Sequence, residues 1–257
     1  MTQMATPIKP RDRILVALDT PDVDKATALS RQLAGKVGGI KLGLEFFNAN
    51  GPQGVRQVVR AGPDETPRGE PAKQQRLFLD LKYHDIPNTV AGAVRSAMPL
   101  APSILNVHAV GGSAMMKAAL DAANFEAEHL GIVRPMLIAV TVLTSMDDGD
   151  LDATGQIGPA RDQVLRLAAL TQKAGLDGVV CSSHEIAALR AECGPDFKLI
   201  VPGIRPAGAA LGDQKRVMTP AQAIAEGADF LVIGRPITGA EDPAAAAEAI
   251  AADVDAG

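Results

Sequence analysis

Three charged residues follow an apolar run within the segment LDLKYHDIPNTV, residues 79–90. They are Asp80, Lys82 and Asp85. On an extended strand, residues two apart point to the same face, so Asp80 and Lys82 are expected to project together. Charges this close to a core are kept when they are paired or when they do chemistry. A structural ion pair at a strand end explains an isolated Asp-x-Lys equally well. The addition of Asp85 and the turn Ile-Pro-Asn-Thr favours chemistry.

The charged segment belongs to a pattern of eight short β-rich runs, each ending in polar residues or glycine. The predicted strands are residues 14–19, 38–43, 77–82, 104–109, 136–141, 177–182, 198–203 and 229–234. Their spacing leaves room for a helix after each strand, and eight such units favour a closed (β/α)8 TIM barrel over an open doubly wound sheet. No GxGxxG follows the first strand, which removes the main support for a dinucleotide-binding fold.

Two of the intervening stretches have clear helical patterns. Residues 162–175 are predicted to form a helix that stops at Gly175. Its expected apolar stripe is Val164, Leu165, Ala168 and Ala169. Residues 219–229 are predicted to form a second helix, with Thr219 as N-cap and Pro220 in the first turn.

The chain is expected to form a single barrel domain at residues 13–250, after a flexible lead-in at residues 1–12 and before a tail at 251–257. Residues 62–76 are rich in proline and charge, and we interpret them as a surface insertion because the barrel pattern resumes directly after them. The lead-in lacks the apolar region of a secretory signal.

Composition excludes several classes of function. The formal net charge of -5, and the absence of a Lys/Arg cluster with interleaved aromatics, argue against a nucleic-acid partner. No run approaches the roughly 18 apolar residues that span a membrane. The two cysteines, Cys181 and Cys193, have no metal-site or disulfide-framework spacing, so we expect reduced thiols in a cytoplasmic protein.

In a barrel, catalytic groups lie at the C-terminal ends of the strands and in the loops that follow. The polar residues at those positions are Asp19, Lys41, Asp80, Lys82, Thr144, Arg205 and Arg235, the last directly after Gly234. Alternating carboxylates favour the charged form of each lysine. A charged lysine can act as a general acid, whereas a Schiff-base enzyme needs a neutral one.

Carboxylates at barrel strand ends often bind a divalent metal. Here each carboxylate has a lysine near it that would compete with the metal, so no metal is predicted. The four histidines show no paired metal-ligand spacing. We expect His129 on the surface, His184 at a helix start, and His84 and His108 behind the site rather than in it.

The segment VIGRPI at the end of the eighth strand has the features of a phosphate site. Gly234 would let backbone N–H groups approach an anion, and Arg235 would add a bidentate cation. Arg205, after the seventh strand, supplies a second cation, and the glycine-rich loop 207–218 could close as a lid. Either arginine alone could cap a surface turn. Together they favour a small phosphorylated substrate.

These segments resemble the orotidine 5'-phosphate decarboxylase family. The resemblance runs over nearly the whole chain through the motifs ILVALD, GGIKLG, LDLKYHDIPNTV, NVHAVGG, AVTVLTSM, VPGIRP and LVIGRPI. The third motif is more specific than a bare D-x-K-x-x-D, which related sugar-phosphate decarboxylases and epimerases share. The departures are the lead-in, the 62–76 insertion, Tyr83 in place of a small aliphatic residue, and the alanine-rich C-terminus.

The resemblance implies decarboxylation of orotidine 5'-phosphate (OMP) to UMP and CO2, the last step of de novo pyrimidine biosynthesis, without metal or organic cofactor. Lys82 would protonate C6, and Asp80 would lie against the substrate carboxylate. Lys41 would order the charges, and with Asp19 it would bind ribose hydroxyls. The implied contacts to the pyrimidine and phosphate are Thr144, Pro202, Arg205, Gln214, Gly234 and Arg235.

The resemblance also implies a homodimer with shared sites. Asp85, Ile86 and Thr89 would contact the substrate, with Asp85 and Thr89 reaching the site of the neighbouring subunit.

Two alternatives remain. A related sugar-phosphate decarboxylase or epimerase would use a metal-bound enediolate and an acidic residue beside the strand-two lysine, but Ile40 and Leu42 flank Lys41. A catalytically silent nucleotide-binding barrel is expected to lack one charge of the array, and all are present.

Overall fold

The computed structural model describes residues 8–61, 75–206 and 218–255. Eight parallel strands pair in chain order, and the last pairs with the first, so the sheet closes into a barrel. This confirms the predicted fold, and each observed strand lies at its predicted place. The strands are β1 Ile14–Ala17, β2 Gly39–Gly43, β3 Leu77–Tyr83, β4 Ile104–His108, β5 Met136–Val140, β6 Gly178–Val180, β7 Lys198–Pro202 and β8 Phe230–Ile233.

Helices connect the strands and cover the outside of the barrel. They are α1 Val23–Leu33, α2 Leu44–Arg60, α3 Pro87–Ala97, α4 Gly112–Leu130, α5 Asp148–Ala153, α6 Ala160–Lys173, α7 Ile186–Cys193, α8 Pro220–Ala225, α9 Arg235–Thr238 and α10 Pro243–Asp255. No helix in these described ranges is long and apolar enough to cross a membrane.

The apolar core has two parts because side chains alternate between the two faces of each strand. The larger part packs the outer strand faces against the helices. The smaller part fills the inside of the barrel, and its members are Leu15, Ala17, Phe78, Ile104, Ile138, Ile200, Phe230 and Val232. The barrel is therefore a packed structure, and polar groups at the strand ends rest on a layer of apolar side chains.

Strand β3 is less regular than the sequence predicts. Its register against β4 shifts between Leu79 and Tyr83, and Lys82 has a φ of 49°. A positive φ is unusual for a residue with a side chain. Asp80 and Lys82 converge as predicted, but the strand carries a bulge in place of the regular extended backbone that the prediction assumed.

The two predicted helices are present, but α8 ends at Ala225, four residues before the predicted end at residue 229, and the predicted stripe of α6 has one error. Helix α6 buries Val164, Leu167, Ala168 and Thr171, whereas Leu165 is half-buried and Ala169 is exposed. Leu165 still packs against the core, so the predicted stripe was wrong only in Ala169, and the fully buried face follows the i, i+3, i+4, i+7 spacing from Val164. Helix α8 begins as predicted, since the side chain of Thr219 accepts a hydrogen bond from the Gln222 N–H.

The last helix runs to Asp255 and buries Val254, so the described part of the predicted 251–257 tail continues α10. At the other end, Pro10–Arg13 forms a 3-10 helix, and Arg13 donates to the carbonyls of Ala228 and Asp229. Most of the predicted insertion and of the predicted lid, residues 62–74 and 207–217, lies outside the described residues, as does most of the lead-in.

Candidate active site

A cavity of about 320 Å³ opens at the C-terminal ends of the barrel strands. Of the residues predicted from the sequence, it is lined by Asp19, Lys41, Asp80, Lys82, Thr144, Pro202, Arg205, Gly234 and Arg235. The closed barrel brings these residues together from six stretches of sequence. The cavity is the size of a small-molecule pocket.

Four of the lining side chains form a row of alternating charge. The ammonium of Lys41 lies 3.2 Å from Asp19 Oδ1 and 3.2 Å from Asp80 Oδ2. The ammonium of Lys82 lies 2.7 Å from Asp80 Oδ1. Each oxygen of Asp80 therefore faces its own lysine, and the row runs from Asp19 through Lys41 and Asp80 to Lys82.

Burial changes along this row. Asp19 is exposed, Lys41 and Asp80 are buried, and Lys82 is partly exposed to the cavity. Burial raises the pKa of Asp80, but the charges of Lys41 and Lys82 and the hydrogen bonds from Lys82 and Asn106 outweigh it, so the pKa lies below its usual value. Asp80 is therefore an anion at neutral pH. Lys41 and Asp80 are therefore held in place, and the ammonium of Lys82 can contact a ligand in the cavity.

Sequence reasoning missed Asn106, whose side chain is fully buried in β4. Its Nδ2 donates to Asp80 Oδ1 at 2.7 Å, and its Oδ1 accepts from the Lys82 N–H at 2.8 Å. The available signal was one amide side chain inside the apolar run ILNVHA. A buried polar residue within a barrel strand needs partners, and here they are two members of the charged row.

The two arginines line the cavity after the seventh and eighth strands. Arg205 is buried, and its backbone N–H donates to the carbonyl of Met218 at 3.2 Å. Among the residues that the structure describes, its Nε has no hydrogen-bond partner. Arg235 is exposed at the first residue of α9, directly after Gly234. The remaining predicted phosphate contact, Gln214, lies outside the described residues.

An apolar wall, which sequence analysis did not identify, completes the cavity. It consists of Ala17, Phe78, Val140, Val142, Leu143, Val180, Cys181, Ile204 and Val232. Burial is the main reason that the pKa of the Cys181 thiol lies well above its usual value. A protonated thiol is a poor nucleophile, so Cys181 serves as part of the apolar wall.

Asp85, Ile86 and Thr89 do not line the cavity of their own chain. They lie on the surface at the start of α3, and Ile86 is 66% exposed. Asp85 Oδ1 accepts the Ile86 N–H at 2.6 Å. The chain thus places these three predicted residues beside the mouth and outside the cavity.

The histidines lie outside the cavity. His84 and His108 have ring centroids 5.7 Å apart. Burial, followed by the charges of His84 and Lys82, lowers the pKa of His108. His129 is exposed and stacks on Phe125, and His184 lies in the 3-10 helix Ser183–Glu185. Within the described ranges, no three His, Cys, Asp or Glu side chains form a metal-binding group.

Comparison with known proteins identifies the family to which the chain belongs. Residues 12–250 match a family described as orotidine 5'-phosphate decarboxylase / HUMPS. A protein named orotidine 5'-phosphate decarboxylase from Rhodospirillum rubrum is 61% identical over 241 residues, 94% of this chain and 93% of that protein. One of the same name from Paramagnetospirillum magneticum is 53% identical over 94% of this chain and 97% of its own length.

Solved structures give the same result for the fold. The crystal structure of orotidine 5'-phosphate decarboxylase from Lactobacillus acidophilus matches with a TM-score of 0.79 and 36% identity, covering 94% of this chain and 98% of that one. A structure from Pyrococcus horikoshii, at 21% identity and a TM-score of 0.71, supports the fold alone.

Proposed function

This chain belongs to the orotidine 5'-phosphate decarboxylase family and decarboxylates OMP to UMP and CO2, and we propose that Lys82 supplies the proton that replaces the lost carboxylate. The observation that carries the proposal is the position of the Lys82 ammonium. It lies 2.7 Å from buried Asp80, and its side chain is 29% exposed at the cavity.

The reaction requires a fixed cation. When the C6–carboxylate bond breaks, CO2 leaves and its bonding electron pair stays on C6, which has no adjacent carbonyl to accept it. A preorganised ammonium stabilises such a developing charge without reorganising at the moment of reaction. Lys82 then transfers one proton to C6, which gives UMP and a neutral amine that regains its proton from water.

Asp80 is proposed to lie against the substrate carboxylate. It is buried and anionic, so it repels a second carboxylate beside it. This repulsion is relieved when CO2 leaves. Its two ion pairs hold it in place. Lys41 keeps Asp80 charged on one side and, together with Asp19, is proposed to bind the ribose hydroxyls.

The other predicted residues are proposed to hold the ends of the substrate. Thr144 and Pro202 would contact the pyrimidine, and Arg205, Gln214, Gly234 and Arg235 the phosphate. Tight binding of the remote phosphate can be used to lower the barrier at C6, because contacts far from the reacting bond help to hold the substrate in its reactive position.

We propose that the active form is a homodimer, in which Asp85 and Thr89 reach the neighbouring site and Ile86, between them, contacts the substrate. The support is their position: they follow Lys82 closely in sequence but lie exposed outside their own cavity. Two unpaired thiols suit a cytoplasmic location.

A metal-dependent reaction on a sugar phosphate is the main alternative. A metal at this site would need carboxylate oxygens, but both oxygens of Asp80 are already engaged by lysines. Ile40 and Leu42, which flank Lys41, are buried and offer no further ligand. The geometry therefore favours direct decarboxylation.

The test is to incubate the full chain with OMP in the presence of EDTA and to measure the formation of UMP. We expect full activity. Lys82→Ala should lose measurable turnover and still bind UMP, whereas Lys173→Ala, at an exposed position on α6, should behave as wild type. Wild-type protein without turnover under EDTA would refute the cofactor-free reaction. Substantial turnover by Lys82→Ala would refute the role of Lys82.

A further inference from the structure

We propose that Asn106 is a positioning residue that holds both the Asp80 carboxylate and the Lys82 backbone in their reactive arrangement. Its side chain does not line the cavity, so it can affect the substrate only through its hydrogen bonds to these two residues. The inference deepens the proposed decarboxylase function and rests on it.

The barrel puts Asn106 directly beneath the charged row. Leu105 and Val107, its neighbours in β4, belong to the core between strands and helices. Ile104, two residues earlier, belongs to the apolar layer inside the barrel. Because side chains alternate along a strand, Asn106 points inward, one layer above Ile104. Asn106 therefore lies between the apolar layer inside the barrel and the charged residues of the site.

The bulge in β3 explains why one residue can hold two others. The register pairs Leu79 with Leu105 and Tyr83 with Val107, so the three residues 80–82 lie opposite Asn106 alone. Extra residues in a bulged strand lose their regular backbone partners. The Asn106 side chain replaces the missing partner, since its Oδ1 accepts the Lys82 N–H at 2.8 Å.

That contact acts on a strained residue. Lys82 has a φ of 49°, a conformation that residues with side chains adopt at a cost and that surrounding contacts must maintain. The second contact, from Nδ2 to Asp80 Oδ1 at 2.7 Å, is made to the oxygen that also accepts the Lys82 ammonium. Asn106 therefore fixes both ends of the Asp80–Lys82 ion pair.

The chemistry of the site specifies an amide at this position. The side chain must donate to a carboxylate and accept from a backbone N–H, and an amide does both. Leucine would leave both partners unsatisfied. Ionised aspartate could still accept the Lys82 N–H, but it would replace the donor with a negative charge against Asp80.

The aspartate variant supplies the decisive experiment. In Asn106→Asp, two carboxylates would share one small space, so one of them should keep its proton to an unusually high pH. While protonated, the new side chain can donate to Asp80 as the amide does. As the pH rises and that proton is lost, the variant should become progressively less active relative to wild type.

The measurement is kcat and KM for OMP from about pH 6 to about pH 9, with UMP binding as the check of folding. We expect the ratio of Asn106→Asp to wild-type kcat to rise at least about tenfold toward acid. Asn106→Ala should lower kcat by about 10- to 100-fold at every pH, with a smaller change in KM. Asn124→Asp, the same change at an exposed site on α4, should match wild type.

A ratio for Asn106→Asp that does not depend on pH would overturn the proposal, whether or not the alanine variant folds. Wild-type turnover distinguishes a failure of the proposed reaction from a failure of the positioning role of Asn106. Inactive wild type refutes the proposed reaction, whereas variants without effect beside an active wild type refute only the positioning role.

Discussion

The Asp80 carboxylate lies 3.2 Å from the Lys41 ammonium, and both residues are at least nine-tenths buried. A buried ion pair gains little over apolar residues of the same shape, but removing one partner strands the other charge in a poorly solvated place. The pair is therefore a rigid base for the site rather than a major source of stability. It holds Asp80 in the form and place from which it can act on Lys82.

Asp80→Asn should destabilise the fold in a manner that depends on pH. The pKa of Asp80 in the folded protein lies below its usual value, so its contribution is fully present above the unfolded pKa and is lost as the pH falls through the folded one. We expect the variant to lose about 3 kcal/mol of unfolding free energy at neutral pH. The gap should shrink below about pH 4.

Denaturant unfolding at matched protein concentration measures this gap. Asp121→Asn, at an exposed position on α4, is the control and should leave stability almost unchanged both at neutral pH and below about pH 4. A gap that stays constant as the pH falls would contradict the assigned pKa direction.

Arg235→Ala should lower kcat as well as raise KM for OMP, if the phosphate contact helps to lower the barrier to reaction at C6. The expected loss in kcat/KM is roughly 10- to 100-fold, the value of a charge-assisted hydrogen bond. Orotidine, which lacks the phosphate, is the matched test substrate. With orotidine, the variant and wild type should react at nearly equal, slow rates, and a large difference there would show that Arg235 acts by another route.

Gly38→Ala should reduce stability and leave the chemistry intact. A Cβ at Gly38 would lie 2.1 Å from the Asp12 carbonyl oxygen in the 3-10 helix Pro10–Arg13. That contact lies at the start of β2, at the opposite end of the barrel from the cavity. Overpacking of this kind costs about 1–3 kcal/mol. Gly92→Ala, where the nearest atom is 3.8 Å away, is the control, and thermal unfolding with kcat measures both variants.

The sequence predicted the strands well because each is a short apolar run with a polar end, and a parallel barrel buries both faces of such runs. It also predicted that Asp80 and Lys82 converge, although regular alternation, on which that prediction was based, is interrupted by the bulge in β3. The positive φ of Lys82 and the role of Asn106 depend on the register between β3 and β4. A contact across strands is set by the whole barrel, and one chain's local pattern does not contain it.

The stripe of α6 shows the same limit on a smaller scale. Val164 and Ala168 were identified from spacing alone, but Leu165 is only partly buried against the core and Ala169 is exposed. Which edge of an amphipathic stripe is covered depends on the neighbouring helices. The apolar wall of the cavity escaped prediction for a similar reason, because its members look like ordinary core residues.

The proposed sharing of sites between subunits can be tested by mixing two inactive variants. Lys82→Ala and Asp85→Ala homodimers should each be inactive. If Asp85 serves the partner's site, a mixed dimer contains one site with both changes and one site with neither. Random exchange of subunits should then restore about a quarter of wild-type activity.

The same mixture distinguishes the alternatives. If Asp85 acted within its own subunit, every site in the mixed dimer would carry one change, and no activity would return. Lys82→Ala mixed with Lys41→Ala is the control, because both residues line the same cavity of one chain and mixing should restore nothing. Recovery in the mixture of Lys82→Ala with Asp85→Ala, and none in the mixture with Lys41→Ala, would show that Asp85 acts in the site of the neighbouring subunit.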